Sequence, residues 1–291
     1  MFRERIYGVV SALAVTFLWS SSYILVKIGL NQLNISPLSL VTVRYTISSL
    51  CLLLLVLIKG FDIQSLKRNS LLHFIVLGIS GFSIAQGFQC LGLFYLPAVT
   101  VTFLLNFTPF FVLIFGLIML NEKPSKLQVV GALIIFTGAY LFFSNQLSKP
   151  NLLGLLITLI SGLGWGAYMV YGRSTLVSTK LGVLPTTAFS MSVGTLILLV
   201  ATYFVEGITV IPFQGWIIVF WLGLVNTAMA FLLWNYALKR LKAFETSVIQ
   251  NTMLVQIALL SWVFLGDKIG LLQVVAIILV LIGVIIVQLR H

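Results

Sequence analysis

The 291-residue chain is short of charge: 8% of its side chains are Asp, Glu, Lys or Arg, against 60% that are hydrophobic. A water-soluble surface cannot be made from that supply, so lipid must be the solvent. Acid is the scarcest charge, with six Asp and Glu against seventeen Lys and Arg. Those six, Glu4, Asp62, Glu122, Glu206, Glu245 and Asp267, fall at or beyond the ends of apolar stretches. No carboxylate is left for the membrane midplane, which disfavours efflux of cationic drugs by exchange for a proton. The two histidines, His73 and His291, are badly placed to serve a nucleophile as base, which argues against an intramembrane hydrolase. Cys51 and Cys90 both lie inside apolar stretches and offer no extracellular disulfide framework. With no Cys/His cluster, phosphate-cradling glycine loop or large soluble segment, no metal, cofactor or catalytic residue is expected and the chain is read as not an enzyme.

What the chain has is long apolar runs. Spanning a hydrocarbon core takes roughly 20 apolar residues as helix, and ten such stretches follow one another: Ile6 to Gly29, Leu38 to Ile58, Leu71 to Leu93, Ala98 to Leu120, Leu127 to Phe143, Leu152 to Tyr171, Val183 to Phe204, Trp216 to Leu238, Phe244 to Leu265 and Leu271 to Leu289. Runs such as Val274 to Val287 are almost unbroken aliphatic, unlike the alternation of a membrane β-barrel. The class is all-α integral membrane, with ten transmembrane helices.

The net charge of +11 has no basic soluble module to sit on, so no nucleic-acid partner is expected. Lys and Arg instead gather in alternate loops: thirteen of the seventeen share one side when the N-terminus is inside. Basic residues stay cytoplasmic, so both termini are placed in the cytoplasm and the chain in the cell inner (cytoplasmic) membrane. The start Met1-Phe2-Arg3-Glu4-Arg5 resembles a signal peptide but lacks a small-x-small cleavage site, and is read as part of a retained first helix.

Sliding the sequence along itself exposes a repeat. A shift of 145 puts Leu120, Lys123, Leu127, Gln128 and Gly138 on Leu265, Lys268, Leu272, Gln273 and Gly283. It also puts Gly78 on Gly223, Leu96 on Leu241, Asn106 on Asn251 and Glu122 on Asp267. A shift of 146 pairs Gly8 with Gly154, Trp19 with Trp165 and Lys27 with Arg173. The chain therefore divides into two five-helix units, 1–146 and 147–291. Five crossings is an odd number, so the second unit enters upside down, the inverted-repeat plan of secondary carriers.

The segment Leu18-Trp19-Ser20-Ser21-Ser22-Tyr23 followed by Lys27, Pro37 and Arg44, and later Pro109, Glu122, Gln128, Gly131 and Gly138, resemble the ten-helix, EamA-type members of the drug/metabolite transporter superfamily over nearly the whole chain. The family's Gly after the first Trp is Ser20 here, although Trp165-Gly166 keeps it. Leu254 stands where Pro109 predicts a second proline, which implies a straighter ninth helix than fourth. The resemblance implies a carrier, commonly an exporter, for amino acids or other small metabolites, with membrane lipid as its surroundings. The rival readings are a flippase for a lipid-linked headgroup and, more distantly, an intramembrane enzyme.

Polar and aromatic side chains inside spans are the candidates for the solute path. Trp19, Tyr23 and Lys27 recur every four residues on one helix face, beside Ser22; Trp165 and Tyr168 stand among Gly162, Gly164 and Gly166. They form either an aromatic wall for an amphipathic solute or a tight helix crossing. Lys27 and Arg173 are repeat mates at opposite gates, or else two cations reaching for their nearer interface. Arg44, about two turns inside its helix, anchors an anionic solute or binds helix-end carbonyls. Ser83, Gln86, Gln89, Asn106, Asn226, Asn235, Gln250 and Asn251 bind solute or hydrogen-bond between helices, with Asn106 and Asn251 singled out by their match.

Overall fold

A computed structural model describes residues 2–31, 33, 35–61, 68–96, 98–144, 151–207, 209–265 and 270–289. It is all helix, with no strand among the described residues. The first helix, α1 (Phe2–Asn31), runs thirty residues, and α2 (Pro37–Ile58) follows. The third rod joins α3 (Arg68–Leu77), a π-helical segment Gly78–Gly87 and α4 (Phe88–Tyr95). A break at Asn106–Phe107 splits the fourth into α5 (Ala98–Leu105) and α6 (Thr108–Leu120), and α7 (Lys126–Phe143) follows. The second half runs through α8 (Leu152–Ser178), α9 (Val183–Val205), α10 (Phe213–Gly223), a second π segment Leu224–Met229 and α11 (Ala230–Arg240). It ends with α12 (Ala243–Gln250), α13 (Thr252–Leu265) and α14 (Leu271–Gln288).

Nine of these stretches, among the described residues, are long and apolar enough to cross a membrane. Their outer faces confirm the solvent: Phe204 is 79% exposed, Phe213 87% and Leu271 83%, and an apolar exterior of that extent fits lipid, not water. The largest overrun past a sequence-read end is in α8, the sixth stretch, which continues past Tyr171 to Ser178, because the drop in hydropathy at Arg173 marks a paired cation inside the helix and not its end.

Both breaks fall on the paired asparagines. Asn106 N donates to the carbonyls of Thr102 (3.2 Å) and Phe103 (3.1 Å); Asn251 N donates to Val248 O (3.1 Å), and Leu254 N to Asn251 O (3.2 Å). The ninth span, with Leu254 in place of proline, is also interrupted, by one residue at Asn251 against two at Asn106–Phe107. A tight i→i+3 turn interrupts the ladder there without proline.

Close contacts recur in crossed pairs. Gly8 lies on Leu241 and Gly154 on Leu96; Gly78 lies on Ser190 O and Val193, and Gly223 on Arg44 O and Ile47. Between α7 and α14, Gly131 meets Gly283 O and Gly138 meets Ala276 O. In each couple the second contact is the first with both partners moved 145 or 146 residues along the chain and exchanged between halves. These glycines leave no space for a Cβ, so backbones approach in the way membrane helices need when lipid supplies no hydrophobic drive between them.

The helix starts are chemically specified. Ser125 accepts from Gln128 N (3.2 Å), while Gln128 Oε1 accepts from Ser125 N (2.9 Å), closing a reciprocal cap on α7. At the equivalent start of α14, Gln273 Oε1 accepts from Gly270 N (2.8 Å), but glycine has no side chain to return the bond. Ser125→Ala should cost about 1 kcal/mol of stability, read as a lowered midpoint of thermal unfolding in detergent. Gly270→Ser should be neutral or stabilising in the same measurement.

Candidate functional site

At the end of the bundle where α1 begins and α14 finishes, the two halves are stitched by charge. Arg5 donates to Gln288 O (2.9 Å) and lies 3.6 Å from Glu245 Oε1. Arg240 Nε pairs with Glu4 at 2.6 Å. Arg173 Nε pairs with Glu122 Oε1 at 2.5 Å, its Nη1 donates to Leu238 O (2.9 Å), and Glu122 Oε2 accepts from Ala243 N (3.3 Å). These three ion pairs, the complete set among the described residues, each join a residue of 1–146 to one of 147–291. Arg173 therefore grips a carboxylate of the protein itself. At the opposite end the halves meet through uncharged donors, Ser39 with Thr209 N (2.9 Å) and Thr42 with Thr202 (2.6 Å), and through Leu38 N donating to Glu206 (3.2 Å).

Between the two ends lies an aromatic centre. Trp19 of α1 meets Trp165 of α8 at 5.8 Å between ring centroids, and Trp234 and Phe231 of α11 at 4.9 and 5.5 Å. Trp165 stacks on Tyr168 at 5.0 Å and 12°. Phe82, on the first π segment, joins Tyr168 (5.4 Å), Phe231 (5.0 Å) and Tyr45 (5.7 Å). The rings pack against one another and are all buried. Edge and stacked pairs of this kind add roughly 0.5–1.5 kcal/mol each beyond burial.

Polar groups hold the rings by their edges. Trp19 Nε1 donates to Asn226 O (3.2 Å), and Trp165 Nε1 to Gln250 Oε1 (2.8 Å). The Tyr168 hydroxyl donates to Asn235 Oδ1 (3.1 Å) and accepts from Asn235 Nδ2 (2.9 Å), which also reaches Thr187 Oγ1 (2.9 Å). Asn226 Nδ2 donates to Leu18 O and, at 3.3 Å, to Ser21 Oγ. Two buried polar atoms beside Trp19 have no partner, Asn226 Oδ1 and Trp234 Nε1.

The sequence-predicted residues divide accordingly. Trp19, Trp165 and Tyr168 are brought together, with Asn226 at their edge. Asn106 and Asn251, from opposite halves, line one narrow crevice with Pro109, Phe136 and Val248. Arg44 Nε donates to Thr227 Oγ1 (2.8 Å) on the second π segment. Ser22 bonds its own helix, at Trp19 O (2.6 Å). Gln86 is half-buried on the first π segment, with no ring contact or hydrogen bond to the tryptophans among the described residues. Tyr23 and Lys27 fall on α1, but their side chains lie outside the described residues. Gly162 and Gly166 sit against Phe111 of α6, the tight crossing of the two readings open for them.

Sequence reasoning passed over Phe231, Trp234 and Thr227; Asn235 and Gln250 stood among the polar candidates inside spans, and the structure sets them against Tyr168 and Trp165. Looking for matches between halves hid the first two, since Phe231 and Trp234 stand opposite Gln86 and Gln89. The signal was available in α11 itself, where Phe231, Trp234, Asn235 and Leu238 share one helical face.

The model of the EamA-like transporter family matches twice, at residues 6–144 and 152–289. An uncharacterized transporter of Archaeoglobus fulgidus is 29% identical over 266 residues, 88% of this chain and 89% of that one. A probable terminal-alkyne amino-acid exporter of Streptantibioticus cattleyicolor is 24% identical over 86% of this chain and 82% of its own. A crystal structure at 17% identity superposes with a TM-score of 0.83 over 98% of each chain, a likeness of fold.

Proposed function

We propose that this chain, which belongs to the EamA-like transporter family, is a secondary carrier that exports small amphipathic metabolites, amino acids and related solutes foremost, across the cytoplasmic membrane by alternating access. The observation that carries the reading is the placement of charge. All three described ion pairs bridge the halves at the terminal end, while the aromatic centre lies between the two ends. Two units closed at one end by breakable contacts around a shared centre form the arrangement that alternating access needs.

In this reading 1–146 and 147–291 are inverted repeats, α1 is the tenth span, and both termini are cytoplasmic. The crossed glycine contacts support the repeat, and Arg5 reaching Gln288 supports placing the termini on one side. Trp19, Trp165, Tyr168 and Asn226 line the solute path, with Ser22, Tyr23, Gln86 and the crevice asparagines Asn106 and Asn251 along it. Arg173 is a gate residue by virtue of its bond to Glu122, and Lys27 is its counterpart. The relative named as an amino-acid exporter supports the solute class.

The test is counterflow in proteoliposomes with a panel of labelled amino acids, nucleosides and organic anions. At least one class should exchange, and Trp19→Ala and Trp165→Ala should each reduce its rate by about tenfold, the kinetic equivalent of roughly 1.4 kcal/mol of ring contact. Unchanged rates in both variants would remove the aromatic centre from the path. No exchange of any solute would overturn the carrier.

A further inference from the structure

Arg44 stands seven residues into α2 from Pro37, about 10 Å of helical rise below its start, where an unneutralised guanidinium is costly. No carboxylate is within ion-pair distance of it among the described residues: Glu4, Glu122 and Glu245 are engaged at the terminal end, and Glu206 accepts from Leu38 N. Its Nε is fixed by Thr227 Oγ1, a hydroxyl that is itself oriented by donating to Leu222 O (2.8 Å). Held through Nε, the guanidinium keeps its two terminal nitrogens, which have no protein acceptor among the described residues. That edge is the one suited to a bidentate bond with a carboxylate.

Thr227's chain neighbour is Asn226, fully buried. Its amide orientation is set by Leu18 O, which can only accept, so nitrogen faces α1 and Oδ1 is the atom left without a donor. A buried acceptor left without a donor is destabilising and calls for an N–H. Consecutive Cα atoms are about 3.8 Å apart, so the residue that anchors the Arg44 cation from α2 and the residue that carries the orphaned acceptor are neighbours on one π segment, and Trp19 is bonded to the second of them.

We propose that Arg44 and Asn226 form a two-point clamp for a zwitterionic head group, with Arg44 taking the carboxylate and Asn226 Oδ1 the ammonium, so that the carrier recognises free α-amino acids by the head and leaves the side chain to the aromatic centre. The inference rests on the carrier reading and deepens it. Oδ1 is sealed in this conformation, so its bond belongs to the loaded state, in which α1 has moved off the π segment.

The experiment follows tryptophan fluorescence of the purified full-length protein in nanodiscs during titration with phenylalanine, phenethylamine, which lacks the carboxylate, and 3-phenylpropionate, which lacks the ammonium. Phenylalanine should bind the wild type at least tenfold tighter than either analogue. Arg44→Gln should erase its advantage over phenethylamine, Arg44→Lys should restore part of it, and Asn226→Leu should erase the advantage over 3-phenylpropionate. Equal binding of the three probes, which needs no variant, overturns the clamp, as does an Arg44→Gln protein that keeps the full discrimination. If none of the three binds while nucleosides or organic anions exchange in proteoliposomes, the clamp falls and the carrier stands. If no solute exchanges at all, the carrier falls with it.

Discussion

Gly81→Leu should abolish the folded protein, and Gly81→Ala should already destabilise it by about 3 kcal/mol or more, the upper end of the usual cost of overpacking. A Cβ at Gly81 would enter the Tyr168 ring, meeting Cδ2, Cγ and Cε2. The ring has nowhere to go. It is stacked on Trp165, set edge-on to Phe82, and tied by its hydroxyl to Asn235, which is tied in turn to Thr187. Gly194 is placed likewise against Phe82 and Gly78 O, so Gly194→Leu should behave in the same way. Gly60, with φ +63° and open space around its Cβ position, is the contrast. An alanine there is strained locally but displaces no neighbour. Size-exclusion profiles and thermal unfolding in detergent read all four variants; a monodisperse Gly81→Leu with a wild-type midpoint would refute the packing described for the aromatic centre.

Glu122→Gln is expected to loosen the terminal end. Its carboxylate holds both Arg173 and Ala243 N, and the two side chains of the pair are only 17% and 16% exposed. Breaking a fully buried pair costs about 3–5 kcal/mol; with this residual exposure about 2 kcal/mol is the better figure. That corresponds to roughly a 30-fold rise in the population opened at this end. Hydrogen exchange at the Ala243 amide should accelerate by that factor, since Gln leaves one acceptor oxygen for the two donors that Glu122 serves and removes the charge that holds the end closed. Arg173→Gln should do the same from the other side, and the exchanged pair Glu122→Arg with Arg173→Glu should recover part of the protection. Unchanged exchange in Glu122→Gln would mean that the pair does not hold the end closed.

Most of the fold was readable because hydropathy dominates it. Starts and stops such as Pro37–Ile58, Lys126–Phe143 and Leu271–Gln288 fall within a residue or two of the apolar runs. The helix caps were legible only in hindsight, through Ser125 and Gln128. What hydropathy could not carry is the internal geometry of the rods. Nothing in the residue types of Gly78–Gly87 or Leu224–Met229 distinguishes a π segment from an α-helix, because both bury the same apolar and small side chains. Nor does sequence disclose that Arg173, counted among loop charges, spends its charge on Glu122 within the bundle.

The site was half readable for a related reason. Residues matched between halves, Trp19 with Trp165 and Asn106 with Asn251, came to light as pairs. Trp234 had no mate and was missed, and Asn235 was one polar candidate among several, although both anchor the centre. Ser20, a departure from the family pattern, proves to have local use: its hydroxyl lies 2.7 Å from Thr16 O and 3.0 Å from Gln256 Oε1, tying α1 to α13.

The second π segment sets the angular phase of everything after it. A single wide turn holds one residue more than an α turn, which advances the following helix by about 100° about its own axis. Asn226 and Thr227 precede that offset or lie within it; Phe231, Trp234 and Asn235 follow it. Relaxing the wide turn to α geometry would leave the span intact in the bilayer yet turn the second group away from the first by more than a quarter of a revolution. The alignment of the clamp with the rings thus depends on one backbone register, and a one-residue deletion or insertion between Leu224 and Met229 should uncouple the two while leaving a helix long enough to cross the membrane.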